Sequence, residues 1–189
     1  MKFLRTPIPG IVICEPKVFS DERGYLSESY RKDKLDKFLG YKINFCQDIT
    51  SKSKKGIFRG LHFQTPPKAQ SKLVRVIKGS VLDIAVDLRS DSSTYGKHIS
   101  IELSAENHKQ LFIPRGFAHG FLSLEDSIFS YKVDNFYSRE NDKGLFYKDE
   151  SLNIHLNNMK NIEVSTKDKK LPLLSNIKEY FKKTGDLYE

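Results

Sequence analysis

The sequence predicts an all-β fold, an antiparallel sandwich or barrel, and three observations carry that expectation. Residues 72–78 (KLVRVIK) are dense in β-branched types, which suit a pleated, half-buried surface. Gly79-Ser80 then supplies a turn, and residues 81–88 (VLDIAVDL) run on as a second strand. Beyond them, short apolar stretches recur at regular spacing with Gly and Pro between them, the pattern of layered or closed β architectures.

In the strand 81–88, Leu82, Ile84, Val86 and Leu88 share one face, while Val81, Asp83, Ala85 and Asp87 share the other. Further strands are expected at 98–103, 110–113, 120–124 and 127–136, with Pro114-Arg115-Gly116 as a turn between two of them. Two peripheral stretches carry helical spacing. Residues 32–39 (KDKLDKFL) place Leu35, Phe38 and Leu39 on one face, and 172–183 carry Leu174, Ile177 and Phe181 at similar intervals. The second is expected as a surface helix over 172–185, closing a single domain that spans 1–189. The densest basic run, Lys52-Ser53-Lys54-Lys55, reads as a solvated loop.

With 38% hydrophobic and 30% charged residues, 189 residues can build one ordinary hydrophobic core. No apolar run approaches the roughly 20 residues of a membrane helix, so no membrane partner is expected. Met1 to Pro7 lacks the apolar core of a signal peptide. Cys14 and Cys46 have neither metal-ligand spacing nor the density of a disulfide scaffold, which points to a reducing, cytoplasmic setting. The net charge of +8 fits solubility first and an anionic ligand second. Nucleic-acid binding would need basic clusters interleaved with aromatics, and the sequence has none.

Five histidines are present, at 62, 98, 108, 119 and 155, but no His-x-His pair marks a barrel metal site, and no metal is expected. The informative pattern is polar residues on apolar strand faces. Lys72 shares a face with Val74 and Val76, and Asp83 with Val81 and Ala85. Tyr131 lies between Phe129 and Val133, and His119 alternates with Phe121 and Ser123. One unpaired buried charge costs several kcal/mol, so the recurrence points to groups that pair with one another around a ligand cavity. A polar network that only fixes strand register is the alternative.

These residues fall inside longer motifs. They are 19–25 (FSDERGY), Gln47-Asp48, 58–64 (FRGLHFQ), 70–76 (QSKLVRV), 79–89, 114–122 (PRGFAHGFL), Tyr131-Lys132 and 165–168 (STKD). In that order they resemble the dTDP-4-dehydrorhamnose 3,5-epimerases over residues 10–172. The resemblance implies a cupin-like jelly-roll β-barrel and a cofactor-independent isomerase that epimerises a nucleotide-diphospho-4-keto-6-deoxy sugar at C3 and C5, with dTDP-4-dehydro-6-deoxyglucose as the first expected substrate. It implies His62 as base, Asp168 as the partner orienting it, Tyr131 as acid on the opposite face, and Lys72 as the charge that stabilises the enolate. Asp83 and His119 would complete the polar lining. Arg23, Glu28, Gln47, Arg59 and Lys167 match contacts to the nucleotide, Phe19 and Tyr25 would pack on the nucleoside, and Tyr137 belongs to the same region. A homodimer with an exchanged N-terminal segment is implied too.

The match departs at named positions. Ile49 stands where the family commonly has Asn. Residues 146–150 (FYKDE) replace a Trp-Asp-Asp-Pro segment, and His155-Leu156-Asn157 a Trp-Pro pair. The base, acid and lysine positions are kept, which favours epimerisation over ketone migration. The nucleotide (dTDP, GDP or CDP), the sugar and the number of carbons inverted stay open, as does a non-catalytic sugar-nucleotide-binding barrel.

Overall fold

The computed structural model describes residues 1–156, 159–182 and 187–188. The first 39 residues contain β1 (Lys2–Arg5), β2 (Val12–Glu15), β3 (Val18–Asp21), β4 (Gly24–Ser27) and the helix α1 (Lys32–Leu39). The barrel strands follow as β5 (Gln47–Ser53), β6 (Ile57–Gln64), β7 (Lys72–Lys78), β8 (Ser80–Asp87) and β9 (His98–Ser104). They continue with β10 (Gln110–Ile113), β11 (Phe117–Ser123), β12 (Ser127–Val133), β13 (Asp142–Gly144) and β14 (Glu163–Val164). One sheet runs β1-β2-β10-β7-β12-β5 and the other β13-β6-β11-β8-β9, with β14 joining β6. Pairing is antiparallel throughout, except for the short parallel contact of β14 with β6. The hairpin β3–β4 pairs only with itself.

The alternation in β8 explains how the layers stack. Val81 and Ala85 point into the space between the sheets, where they meet Val74, Val76, Leu103, Leu111, Phe121 and Phe129. Leu82, Ile84, Val86 and Leu88 point the other way and are covered by Phe58, Leu61, Phe63, Leu145, Tyr147 and Phe181. Both faces are therefore dry, and every residue of β8 is buried. Each such aliphatic or aromatic side chain stabilises the fold by roughly 1.5–3 kcal/mol, before chain entropy is subtracted.

The helix α1 forms where the sequence places it. Leu35 packs against Val12, Cys14, Leu73 and Phe112 on the outside of the first sheet. Gly40 ends the helix at φ +84°, donating its N–H to the Asp36 carbonyl.

Four sequence expectations are corrected. The helix expected over 172–185 does not form in its described part. Residues 174–176 make a single 3-10 turn, and Phe181 leaves it to bridge Arg89, almost fully buried. Burying Phe181 beside Phe63 outweighs the weak helical spacing of a segment that short. The rest of that stretch, 183–185, lies outside the described residues. Lys52-Ser53 belongs to β5 rather than a loop, with Ser53 buried. The strand expected at 120–124 begins at Phe117 and ends at Ser123. The strand expected at 127–136 stops at Val133, because the Asp134 side chain turns to take the Ser71 N–H and the Arg115 guanidinium.

Candidate active site

A cavity of about 370 Å³ opens between the sheets. Its position follows from the strand faces. β6 and β11 run so close that a Cβ on Gly60 would stand 2.5 Å from the Gly120 Cα, and one on Gly120 2.6 Å from the Arg59 carbonyl oxygen. Only glycine fits at either place. The register shifts between His119 and Phe121, and His62 and His119 end up directly paired, both lining the cavity.

Each histidine has its own carboxylate. His62 Nε2 lies 2.7 Å from Asp168 Oδ1. Asp168 sits on the 3-10 turn 168–170, buried, with its other oxygen 3.4 Å from the Gly60 N–H. Burial pushes that carboxyl up, but the His62 hydrogen bond and charge more than offset it and hold Asp168 below the usual range. Asp168 therefore stays ionised and ties down one ring nitrogen of His62, leaving Nδ1 for chemistry. His119 Nε2 lies 2.9 Å from Asp83 Oδ2, and both residues are buried. Burial pulls the His119 imidazole down, against the pull of Asp83, so this ring is neutral near pH 7. Asp83 is fully buried behind His119 rather than on the cavity wall, which corrects its expected place in the lining.

Lys72 enters from the other sheet, with Nζ 3.5 Å from the His62 carbonyl oxygen. Burial lowers its pKa to about 8, with Asp83 and Asp142 pulling it back up. Tyr131 lines the same cavity from β12, in register with Val74 and Ile49. Burial raises its phenol pKa, partly opposed by Arg59. Phe121 and Phe129, stacked 4.2 Å apart, make the apolar part of the wall. The donor set thus spans two walls: His62 on one sheet, held by Asp168 from the 3-10 turn, and Lys72 and Tyr131 on the other.

Arg59 and Lys167 stand at the rim. The Arg59 guanidinium is braced by Ser53 Oγ at 2.9 Å and by the Lys52 carbonyl. Gln47 lies on β5 opposite Val133, and its buried Oε1 has no hydrogen-bond partner among the described residues. Tyr137 is exposed, and its hydroxyl donates to Asp142 Oδ2 at 3.2 Å. Lys167 Nζ reaches the same oxygen at 2.6 Å. Asp142 is a site residue that sequence reading missed, since an acidic residue in a polar turn reads as solvated. Its only signal is proximity to Tyr137 in the chain.

Neither Gln47 nor Tyr137 lines the cavity, and the remaining four candidates lie away from it as well. Phe19, Arg23 and Tyr25 lie on the β3–β4 hairpin, with Arg23 held by Asp21 and Tyr25 edge-on to His108. Glu28 pairs with Lys34 and Arg31. Among the described residues no group of three or more His, Cys, Asp and Glu side chains is placed to hold a metal ion. Nor is any described helix long and apolar enough to cross a membrane.

Comparison with known proteins places this geometry. The family model described as dTDP-4-dehydrorhamnose 3,5-epimerase matches residues 5–176. A curated dTDP-4-dehydrorhamnose 3,5-epimerase of Shigella flexneri is 50% identical over 155 residues, 82% of this chain and 86% of that protein. The crystal structure of the Elizabethkingia anophelis enzyme of that name superimposes with a TM-score of 0.90 at 44% identity, covering 95% of this chain and 99% of that one. The Legionella pneumophila dTDP-6-deoxy-D-glucose-3,5-epimerase, solved with dTDP-4-keto-L-rhamnose, gives 0.93 at 37% identity, covering 97% and 99%. The fold is the cupin-type barrel of these proteins, and the chain belongs to the dTDP-4-dehydrorhamnose 3,5-epimerase family.

Proposed function

We propose that the chain inverts C3 and C5 of dTDP-4-dehydro-6-deoxyglucose to give dTDP-4-dehydrorhamnose, through an enolate and without a cofactor. The observation that carries this reading is the two-walled donor set, with the His62–Asp168 pair and Tyr131 on opposing walls of one cavity. His62 Nδ1 takes the proton from carbon, and the electron pair moves onto the C4 ketone oxygen. Lys72 stabilises that oxyanion, a contribution worth on the order of 3 kcal/mol for a well-placed donor. Tyr131 returns a proton from the opposite face, the carbon inverts, and proton exchange with solvent restores the free imidazole and the phenol before the second carbon reacts. The ketone is the electron sink, so the chemistry asks for no further group. Arg59 and Lys167 bind the diphosphate at the rim, Gln47 and Tyr137 the nucleoside side.

The same reading makes the hairpin a contribution to a second subunit. Phe19, Tyr25 and Leu26 are 54%, 63% and 74% exposed, an apolar surface touched in the single chain by Lys17 over Phe19 and His108 against Tyr25 but otherwise open. In a homodimer with exchanged hairpins, Phe19, Arg23, Tyr25 and Glu28 complete the partner's nucleotide site. Sedimentation velocity should then give a particle of twice the 21.8 kDa chain mass, and a monomer at working concentration would remove the exchange.

Turnover is tested by proton NMR in deuterated water with dTDP-4-dehydro-6-deoxyglucose. Deuterium should enter at both C3 and C5. Entry at one carbon only would make the chain a single-centre epimerase, and no entry at either would sink the catalytic reading.

A further inference from the structure

The segment beyond residue 176 lies outside the family match, yet its last described residues reach a strategic place. Three barrel strands meet at one end. β7 begins at Lys72, whose register partners are Val133, the last residue of β12, and Ile113, the last residue of β10. Just outside these three strand ends stand Ser71, Asp134 and Arg115. The Ser71 N–H donates to Asp134 Oδ1 at 2.6 Å, and Arg115 Nε donates to Asp134 Oδ2 at 3.1 Å.

Tyr188 closes this into a ring. Its hydroxyl lies 3.0 Å from Ser71 Oγ and accepts the Arg115 N–H at 3.2 Å. Its aromatic ring lies 4.7 Å from that of Tyr41 and 5.0 Å from the Arg115 guanidinium, while Arg115 Nη1 donates to the Leu187 carbonyl. Ser71 is fully buried, so its hydroxyl depends on a protein partner.

Lys72 is the next residue. Its ammonium makes no salt bridge within 4 Å among the described residues, and its one hydrogen bond is the long contact to the His62 carbonyl. A long side chain held so loosely at its tip is aimed mainly by its backbone. We propose that Tyr188 is a positioning residue: through Ser71 it fixes the start of β7 and so sets where the Lys72 ammonium meets the reacting oxygen. This rests on the reading of Lys72 as the enolate-stabilising charge.

The test is steady-state kinetics and thermal unfolding on the full-length protein with Tyr188→Phe, Ser71→Ala, the double variant and Lys72→Met. Tyr188→Phe keeps the ring and removes only the hydroxyl. The expected result is a kcat about tenfold lower, with KM unchanged and Tm within a few degrees of the parent. Ser71→Ala should match it, and the double variant should be no slower than either single one. Wild-type kcat in Tyr188→Phe, beside a slow Lys72→Met, would overturn the positioning role and leave the lysine reading standing. A kcat loss that only tracks a large fall in Tm would overturn it too, as a stability effect. Wild-type kcat in Lys72→Met would overturn the lysine reading and the inference together.

Discussion

His62→Asn should lower kcat by about a thousandfold while leaving the fold and nucleotide binding in place. General-base catalysis by a positioned side chain contributes roughly 10²–10⁴ to rate, and no other described group of suitable type holds the same place. His119, its register partner, is engaged by Asp83 and lowered by burial; its exposed surface is small. Asparagine keeps a polar group toward Asp168, so that carboxylate is not left buried and alone. The loss should appear in kcat with little change in KM, because the imidazole acts on the reacting carbon rather than on the nucleotide. Binding of dTDP measured by calorimetry should be near that of the parent. Retained turnover in His62→Asn would show that the base lies elsewhere.

Lys72→Met should be nearly as damaging to rate and should not damage stability. Removing an oxyanion donor costs about 10²–10³ in kcat. Stability responds in the opposite sense. Burial has drawn the Lys72 pKa down to about 8, which means the folded protein disfavours the charged form relative to the unfolded chain. Between that value and the ordinary lysine pKa near 10, folding requires Lys72 to lose its proton, so this group works against stability as the pH is lowered from 10 through 8. Methionine has similar length and no charge to bury, so Tm should hold or rise. The pH profile follows from the same sign. The ammonium is the working form, so kcat of the parent should fall as pH rises through about 8, and Lys72→Met should lose that limb. A kcat that is flat from pH 7 to 9.5 in the parent would contradict the role given to Lys72.

The strands and faces that matter to this site were legible because β7 and β8 are dense in β-branched and aliphatic residues, with β8 buried along its whole length and β7 buried at Leu73, Val74 and Val76. Lys72, Asp83, His119 and Tyr131 stood out as polar residues on faces otherwise built of Val, Ala and Phe, and all four converge between the sheets. The helix 32–39 was legible because Leu35, Phe38 and Leu39 fall on one face and Gly40 follows at once. The His62–Asp168 contact spans 106 residues of chain, and only the family resemblance pointed to it.

Other parts had no local signal. β5 (QDITSKS) is polar along most of its length: Asp48, Thr50 and Lys52 face solvent, and between them Ser51 lines the cavity. The hairpin 18–27 buries almost nothing in the single chain, so neither core packing nor the cavity marks it as part of a site. The C-terminal residues Leu174, Ile177 and Phe181 read as helix because three apolar residues at that spacing fit a helix face. The same residues pack against the Leu82–Ile84–Val86 face as a 3-10 turn at 174–176 followed by an irregular stretch to Phe181, and tertiary burial decided for that. Ile49 is the departure with the most direct consequence. It lies opposite Tyr131 in the β5–β12 register, where the family commonly carries an amide.

Acid and base on opposite walls of one cavity can be separated by Tyr131→Phe in deuterated water. Incubated with dTDP-4-dehydro-6-deoxyglucose and followed by proton NMR, this variant keeps the base and loses the opposing proton donor. Deuterium should still enter at the carbon His62 reaches, with the configuration there unchanged, while inverted product forms at least about a hundredfold more slowly than with the parent. Inverted product appearing at the parent rate would contradict it, because the proton would then be arriving from some group other than Tyr131.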